Sequence, residues 1–397
     1  MITIGLIKET KRPADNRVAF TPAQCKWINN NFPIKIGVEK SSLRCYKDNE
    51  YEKTGIEVLD DVSNCNILMG IKEVAISTLI PNKTYFFFSH TKKLQPSNKK
   101  LFQSLISNKI TLIDYECLVH EDGQRMLGFG FFAGIVGAHN GLMCYGNRTN
   151  AFQLERVFKT RDFRQLINTY FGVKIPPIKI AVTGSGRVSH GIIEIMNLMD
   201  IQEVEPDEFI EQTFTYPVYV HLKGKDLYKH KESGTYKRLD FHLHPQNYNC
   251  IFKEFIPYTD VLLNGVYWDV NVPRLFEIED LTKPNFKIKT IADITDDIHG
   301  SVPCNLGDYT IENPVYGVDK KSFNQTEAYL NNSVDVMAVG NLPNELPRDA
   351  SRFFGEQLIK FVLPDIVENK TTILSKATIL DKGEITKPFE YMKGFEK

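Results

Sequence analysis

Short apolar runs alternate along this chain with amphipathic stretches and polar turns. In the first third, ITIGLI, IKIGVE, NILMGI, TYFFFS and ITLIDYE read as strands, while PAQCKWINNNF and LQPSNKKLFQSLISN read as helices. Such alternation predicts a mostly parallel sheet covered by helices. A stretch rich in small residues, FGFFAGIVGAHNGLMCYG, follows and is expected to be a helix running between two domains. The alternation restarts at residue 178 with IKIAVTGSGRVSHGIIEIMNLM, IQEVEP, VYVHL, DVLLNGVYW and TIADI, which predicts a second α/β domain. From residue 330 the chain reads as helical, through EAYLNNSVDVMAV and SRFFGEQLIKFVLPDI, and is expected to return to the first domain. The charged stretch KGKDLYKHKESGTYKRLDF reads as a hairpin or loop set into the second. The expected architecture is α/β, with two Rossmann-like domains of parallel sheet and an active-site cleft between them. The first comprises residues 1–135 with 331–397, the second residues 136–330.

Composition narrows the partners. With 397 residues and 42% hydrophobic content the chain can build two cores. Its 48 basic and 49 acidic residues leave a net charge of −1, so no global field favours nucleic acid or an anionic membrane, and small molecules are the expected ligands. MITIGLIKETKRP lacks a signal peptide's apolar core and no run approaches a membrane span, so the cytoplasm is the expected compartment. Seven scattered cysteines without a CxxC pair argue against a disulfide framework or a structural metal site.

Candidate chemistry gathers at predicted strand ends, where open α/β sheets bind ligands. In IKIAVTGSGRVSHG, Gly184, Ser185 and Gly186 follow a strand, and Arg187 and Val188 open the next helix. Glycines there permit a tight turn and the approach of a pyrophosphate to backbone N–H groups at a helix N-terminus. Ser189 stands where the pattern usually has a third glycine. Glu205 in IQEVEP lies about twenty residues on, where a carboxylate accepts ribose hydroxyls and favours NAD over NADP. Glu203 and Asp207 are alternatives for that acidic role. Asn264 and Tyr267 follow DVLL, and Asp293 with Asp297 closes TIADITDD. In the first domain Lys72, His90 and Glu116 each end a predicted strand, a set suited to proton transfer at an amine or imine. Arg17 and Arg125 are candidate carboxylate clamps, with a salt bridge inside the protein the equal alternative for each.

These residues sit in longer stretches. IGLIKETKRPADNRVAFTP, GIKE and FFFSHTKK resemble the opening of the alanine dehydrogenase and transhydrogenase superfamily. IDYECL, GQRMLGFGFFAGIVGA, HPQNYNCIFKEFIPYTDVLLNGVYWDVNVPRL, DITDDIHGS and NLPNELPRDASRFFGEQL resemble the L-lysine-forming saccharopine dehydrogenases and lysine–2-oxoglutarate reductases. The resemblance implies a nicotinamide-dependent enzyme interconverting saccharopine with L-lysine and 2-oxoglutarate. It assigns proton transfers to Lys72 and His90, in either distribution of roles, and makes Glu116 their tuning neighbour. Arg17, Gln95 and Arg125 would hold substrate carboxylates, and Asp297 would lie near the nicotinamide. Two departures bear on substrate identity: Gly340 replaces an acidic residue common before NLP, and HGSVPC replaces the usual continuation after DITDD. Another amino-acid or opine dehydrogenase on the same scaffold, or a nucleotide-binding sensor without catalysis, are the alternative readings.

Overall fold

The computed structural model describes residues 1–368 and 371–396. The chain forms two compact units, residues 1–129 with 347–397 and residues 130–346.

In the first unit six strands run parallel: β1 (Ile2–Leu6), β2 (Ile34–Glu39), β3 (Glu57–Leu59), β4 (Ile67–Met69), β5 (Thr84–Phe87) and β6 (Thr111–Asp114). Their order across the sheet is β6-β5-β4-β1-β2-β3, and the antiparallel strands Thr378–Asp381 and Glu384–Ile385 extend the β6 edge. Helix α1 (Pro22–Asn31) starts where Thr21 and Gln24 satisfy each other's backbone N–H groups and Pro22 fits the first turn. It buries Cys25 and Ile28, three residues apart, in the core of the unit. The helix Pro347–Phe361 belongs here because Arg348 donates to Glu50 and Cys45, and Ser351 accepts the Val18 N–H at 2.9 Å.

The second unit carries a sheet ordered β15-β14-β16-β13-β12-β7-β9-β8. In chain order these are β7 (Lys179–Thr183), β8 (Gln202–Glu203), β9 (Val218–Leu222), β12 (Val261–Asn264), β13 (Thr290–Asp293), β14 (Val315–Asp319), β15 (Gln325–Thr326) and β16 (Ser333–Met337). All run in one direction except β14, which is antiparallel to both its neighbours, β15 and β16. Strands β12 and β13 are buried at every position, as expected of parallel strands covered on both faces. The small-residue stretch is one helix (Gly130–Thr149), wholly inside this unit and buried without a break from Gly134 to Gly146. A Cβ on Gly134 would stand 2.0 Å from the Val188 carbonyl, and one on Gly191 would stand 2.0 Å from the Phe131 carbonyl. The glycines therefore let this helix and Arg187–Leu198 touch backbone to backbone, which fixes the start of the latter beside β7.

Two sequence expectations change here. SVDVM, read as helical, is strand β16, every residue buried between β13 and β14; a short apolar run looks the same to either period. The residues 331–346 consequently lie in the second unit. The charged stretch is not a local hairpin: β10 (Tyr228–His230) pairs with β11 (Tyr248–Cys250), beyond the stretch itself, and the short helix Arg238–Leu243 lies between them.

Candidate functional site

In the first unit β4 and β5 pair from Ile67↔Thr84 to Met69↔Phe86, so their exits lie side by side. Lys72 leaves the first exit and His90 the second. His90 adopts φ +54°, a left-handed conformation uncommon outside glycine that holds the ring at the start of the turn Thr91–Lys93. Its Nε2 stands 3.8 Å from Glu73 Oε1, and Glu73 also accepts Lys11 Nζ at 2.7 Å. Burial pushes the imidazole below its ordinary range, opposed by Glu73 and Glu116. Burial and the neighbouring Arg17 guanidinium together pull Lys72 down to about 8.

Arg17 is buried and grips Asp15 twice, Nε to Oδ1 at 3.0 Å and Nη2 to Oδ2 at 2.5 Å, with its guanidinium 4.1 Å over the Phe129 ring. Although burial pushes the Asp15 carboxyl up, Arg17 holds it down at about 2. Glu116 is buried in the turn after β6. One of its oxygens bonds Arg125 and stands 3.9 and 3.8 Å from the Lys92 and Lys93 ammonium groups, while the other is buried without a partner. Beneath it, Asp114 accepts the Glu116 N–H at 2.7 Å and the Ser89 N–H at 3.0 Å, tying the exits of β5 and β6 together. The structure thus joins Lys72, His90, Glu116, Arg17 and Arg125 to one charged network. Gln95 is exposed at the start of the turn Pro96–Asn98, whose Asn98 amide donates to the His90 carbonyl at 3.2 Å. Asp15, Glu73 and Asp114 go unannounced in the sequence; Asp15 lies two residues from Arg17, Glu73 follows Lys72, and Asp114 sits inside the predicted strand ITLIDYE and ends the observed β6.

In the second unit the turn after β7 has Gly184 at φ +98°, where a Cβ would stand 2.5 Å from the Gly265 carbonyl. Only glycine fits there. Gly186 opens the helix Arg187–Leu198, no side chain caps that end, and nothing lies within 4 Å of where a Gly186 Cβ would be. An uncapped helix N-terminus under open space suits a phosphate group, so the residues present fit a dinucleotide. Ser185 and Gly186 are exposed, Arg187 and Val188 half-buried. Ser189 is fully buried and donates to the Thr183 carbonyl at 3.1 Å, while close helix packing falls to Gly191, two residues further on.

The other predicted residues of this unit divide between scaffold and surface. Asn264 is fully buried; its amide donates to Asp293 and Ser301, both at 2.8 Å, and accepts Thr183 at 2.7 Å, locking the ends of β7, β12 and β13. Tyr267 is exposed, and the Asp297 carbonyl accepts the Gly300 N–H at 2.8 Å. Glu205 was expected at the end of the next strand in the chain, IQEVEP. It follows β8, a two-residue strand at the sheet edge separated from β7 by β9. Its backbone N–H donates to Glu208 Oε2 at 3.2 Å at the start of the helix Pro206–Glu211, and no side-chain hydrogen bond caps that end. Glu203, the alternative, accepts the Tyr219 hydroxyl at 3.1 Å. Beside the Gly184 turn stands His221 of β9, whose Nε2 donates to the Gly184 carbonyl at 2.7 Å with Lys223 Nζ 3.5 Å from Nδ1. The sequence hid this because the chain visits the outer strand before the inner one. Among the described residues no cluster could hold a metal ion, and no helix is long and apolar enough to cross a membrane.

Comparison with known proteins places these features. Residues 5–136 match the N-terminal domain of the alanine dehydrogenase/PNT family. The chain is 30% identical to an alpha-aminoadipic semialdehyde synthase of Arabidopsis thaliana over 99% of its own length and 41% of that protein, and 29% identical to the mitochondrial one of Bos taurus over 93% and 44%. It therefore spans about two fifths of the length of these relatives. A saccharopine dehydrogenase [NAD(+), L-lysine-forming] of Emericella nidulans is 24% identical over 91% of both chains. Among solved structures, an L-alanine dehydrogenase superposes with a TM-score of 0.64 at 15% identity, covering 98% of each chain, and a transhydrogenase from Sinorhizobium meliloti with 0.60 at 14%, covering 97% of this chain and 99% of that one. Both share the α/β fold.

Proposed function

We propose, from the premise that the chain is a saccharopine dehydrogenase homologue with an alanine dehydrogenase/PNT-type first domain, that it is an NAD-dependent oxidoreductase of the saccharopine CH–NH bond. The products are L-lysine and 2-oxoglutarate, or in reverse the same pair condense reductively. The observation that carries the reading is the network around Lys72: an amine drawn down to about 8, a histidine kept neutral by burial, and arginines paired with Asp15 and with Glu116.

Bound with its pyrophosphate at the turn Gly184 to Gly186, NAD would supply the hydride acceptor for the glutamyl Cα of the substrate. Lys72 in its neutral form takes the proton of the secondary amine as the imine forms. Its lowered pKa makes that form available near neutral pH, where an ordinary lysine is fully charged. Neutral His90 then removes a proton from the water that adds to the imine carbon and passes it to nitrogen, giving the carbinolamine. It next takes the hydroxyl proton and delivers it to nitrogen as the carbon–nitrogen bond breaks, releasing the lysine amine and leaving the keto acid. Glu73 and Glu116 flank the imidazole and favour the imidazolium formed during that transfer. Arg125, half exposed beside Glu116, supplies positive charge for a substrate bearing three carboxylates, while Arg17, buried in its pair with Asp15, acts on Lys72.

The test is the loss of reduced-nicotinamide absorbance when the full chain meets lysine and 2-oxoglutarate, with pyruvate and ammonia as control. NADH consumption only with lysine and 2-oxoglutarate is expected. Turnover of pyruvate and ammonia instead would make it an alanine dehydrogenase-like enzyme, and nicotinamide binding without turnover of any pair would make it a sensor.

A further inference from the structure

Glu9 follows β1 and takes no part in the roles above. Its carboxyl lies against the turn that leaves β4, on the strand next to its own. Oε1 accepts the Ile71 N–H at 2.6 Å and Oε2 the Lys72 N–H at 3.0 Å. Gly70 completes the seat, because a Cβ there would stand 3.2 Å from Oε1 of Glu9 and 2.9 Å from Ile7. Two parallel bonds from one planar group to consecutive peptides fix the rotation of the turn as well as its distance. The groups facing this carboxyl are Asp15, Arg17 and the phenol of Tyr115, a buried hydroxyl without a hydrogen-bond partner. Burial, reinforced by Asp15, raises the Glu9 carboxyl to about 8, against the pull of the two N–H donors and Arg17. A carboxyl that holds its proton in neutral solution clamps the turn while adding little negative charge beside Lys72. The charged groups around the Lys72 amine itself are Arg17, Asp15, Lys11 and Glu73.

We infer that Glu9 is a positioning residue for Lys72, whose carboxyl clamps the Ile71 and Lys72 peptides and so fixes where the amine stands among Arg17, Asp15 and Glu73. The inference rests on Lys72 being the proton-transfer group of the proposed reaction. Lysine has a long flexible stem, so its withdrawal from water depends on where its backbone is held. A loosened turn lets the ammonium regain hydration, and its pKa returns toward that of an ordinary lysine.

The experiment compares the full-length wild type with Glu9→Ala by two readouts. The first is the titration of the Lys72 Cε carbon by NMR, its signal identified by its disappearance in Lys72→Met. The second is the pH profile of kcat and KM. The expected result is a Lys72 midpoint at least about one unit higher and a kcat lowered about tenfold or more near neutral pH, with the KM for NAD unchanged. A folded variant whose Lys72 midpoint and pH profile match the wild type overturns the inference, whatever its loss of thermal stability. If Glu9→Ala does not fold, Glu9→Gln carries the same test, since its amide can accept only one of the two N–H groups. The NMR readout needs no substrate. Absent turnover with saccharopine would therefore remove the proposed reaction while a raised midpoint still established the clamp.

Discussion

Lys72 and Gly184 both follow a parallel strand at its carboxyl end, but they do opposite things with that position. Around Lys72 the working parts are side chains whose charge depends on burial and on each other: Arg17 lowers Lys72, Arg17 holds Asp15 ionised, and Glu73 and Glu116 oppose the desolvation of His90. Around Gly184 the working part is bare backbone. The side chains nearby face inward and hold it: Ser189 on the Thr183 carbonyl, His221 on the Gly184 carbonyl, Asn264 across three strand ends. The difference teaches that one unit is tuned by electrostatics and the other by steric room, so substitutions in the two should fail in different ways.

The largest expected effect tests the electrostatic side. Lys72→Met should lower turnover by roughly two or more orders of magnitude, the usual cost of lost acid–base help, with NADH affinity intact. The sign of the pH dependence follows from the lowered pKa. Saccharopine oxidation needs the neutral amine, so its rate should rise as pH climbs through about 8 and fall below it, whereas an ordinary lysine would place that limb above 10. In the reductive direction the charged amine is needed and the limb reverses. Pre-steady-state hydride transfer followed against pH checks both, and a limb that survives in Lys72→Met would assign it to another group.

Gly184→Ala should fail on the steric side. Its Cβ would demand φ +98° and a 2.5 Å approach to the Gly265 carbonyl, so the turn must shift. Strain of about 1 to 3 kcal/mol should weaken NADH binding roughly fivefold to a hundredfold while leaving kcat at saturating cofactor nearly unchanged. Fluorescence titration of NADH against steady-state kinetics separates the two. A loss of kcat equal to that from Lys72→Met would dissolve the comparison.

The two units were also unequally legible in the sequence. Strand ends carrying Lys72, His90 and Glu116 could be read directly, because each apolar run of the first unit stops near its ionisable residue and the strands β4, β5 and β6 are neighbours in chain order and in space. The partners that set their charge were harder to see: Asp15 lies two residues from Arg17, and nothing local to Glu73 says that it faces His90. In the second unit GSG located the turn, since glycine at positive φ is a local requirement. Strand order is not local. The excursion to the edge strand β8 before β9 put Glu205 two strands from β7 and brought His221 and Lys223 beside Gly184, where no periodicity announces them. SVDVM failed for a related reason, being too short for its period to separate a buried strand from a helix turn.

Glu205 gives the smallest expected effect and the finest test of the comparison. If the second unit serves the cofactor by backbone alone, Glu205→Ala changes little, because the exposed Glu205 carboxylate caps no helix N–H and the bond from the Glu205 N–H to Glu208 survives the substitution. Thermal unfolding should shift by no more than about 0.5 kcal/mol, as for a surface substitution, with NADH affinity and the preference over NADPH as they were. Weaker NADH binding and a narrowed preference at unchanged stability would mean that the carboxylate reaches the ribose as the sequence suggests. The edge strand would then serve the cofactor through a side chain, and the division between a unit that works by charge and a unit that works by backbone would hold only for the pyrophosphate turn.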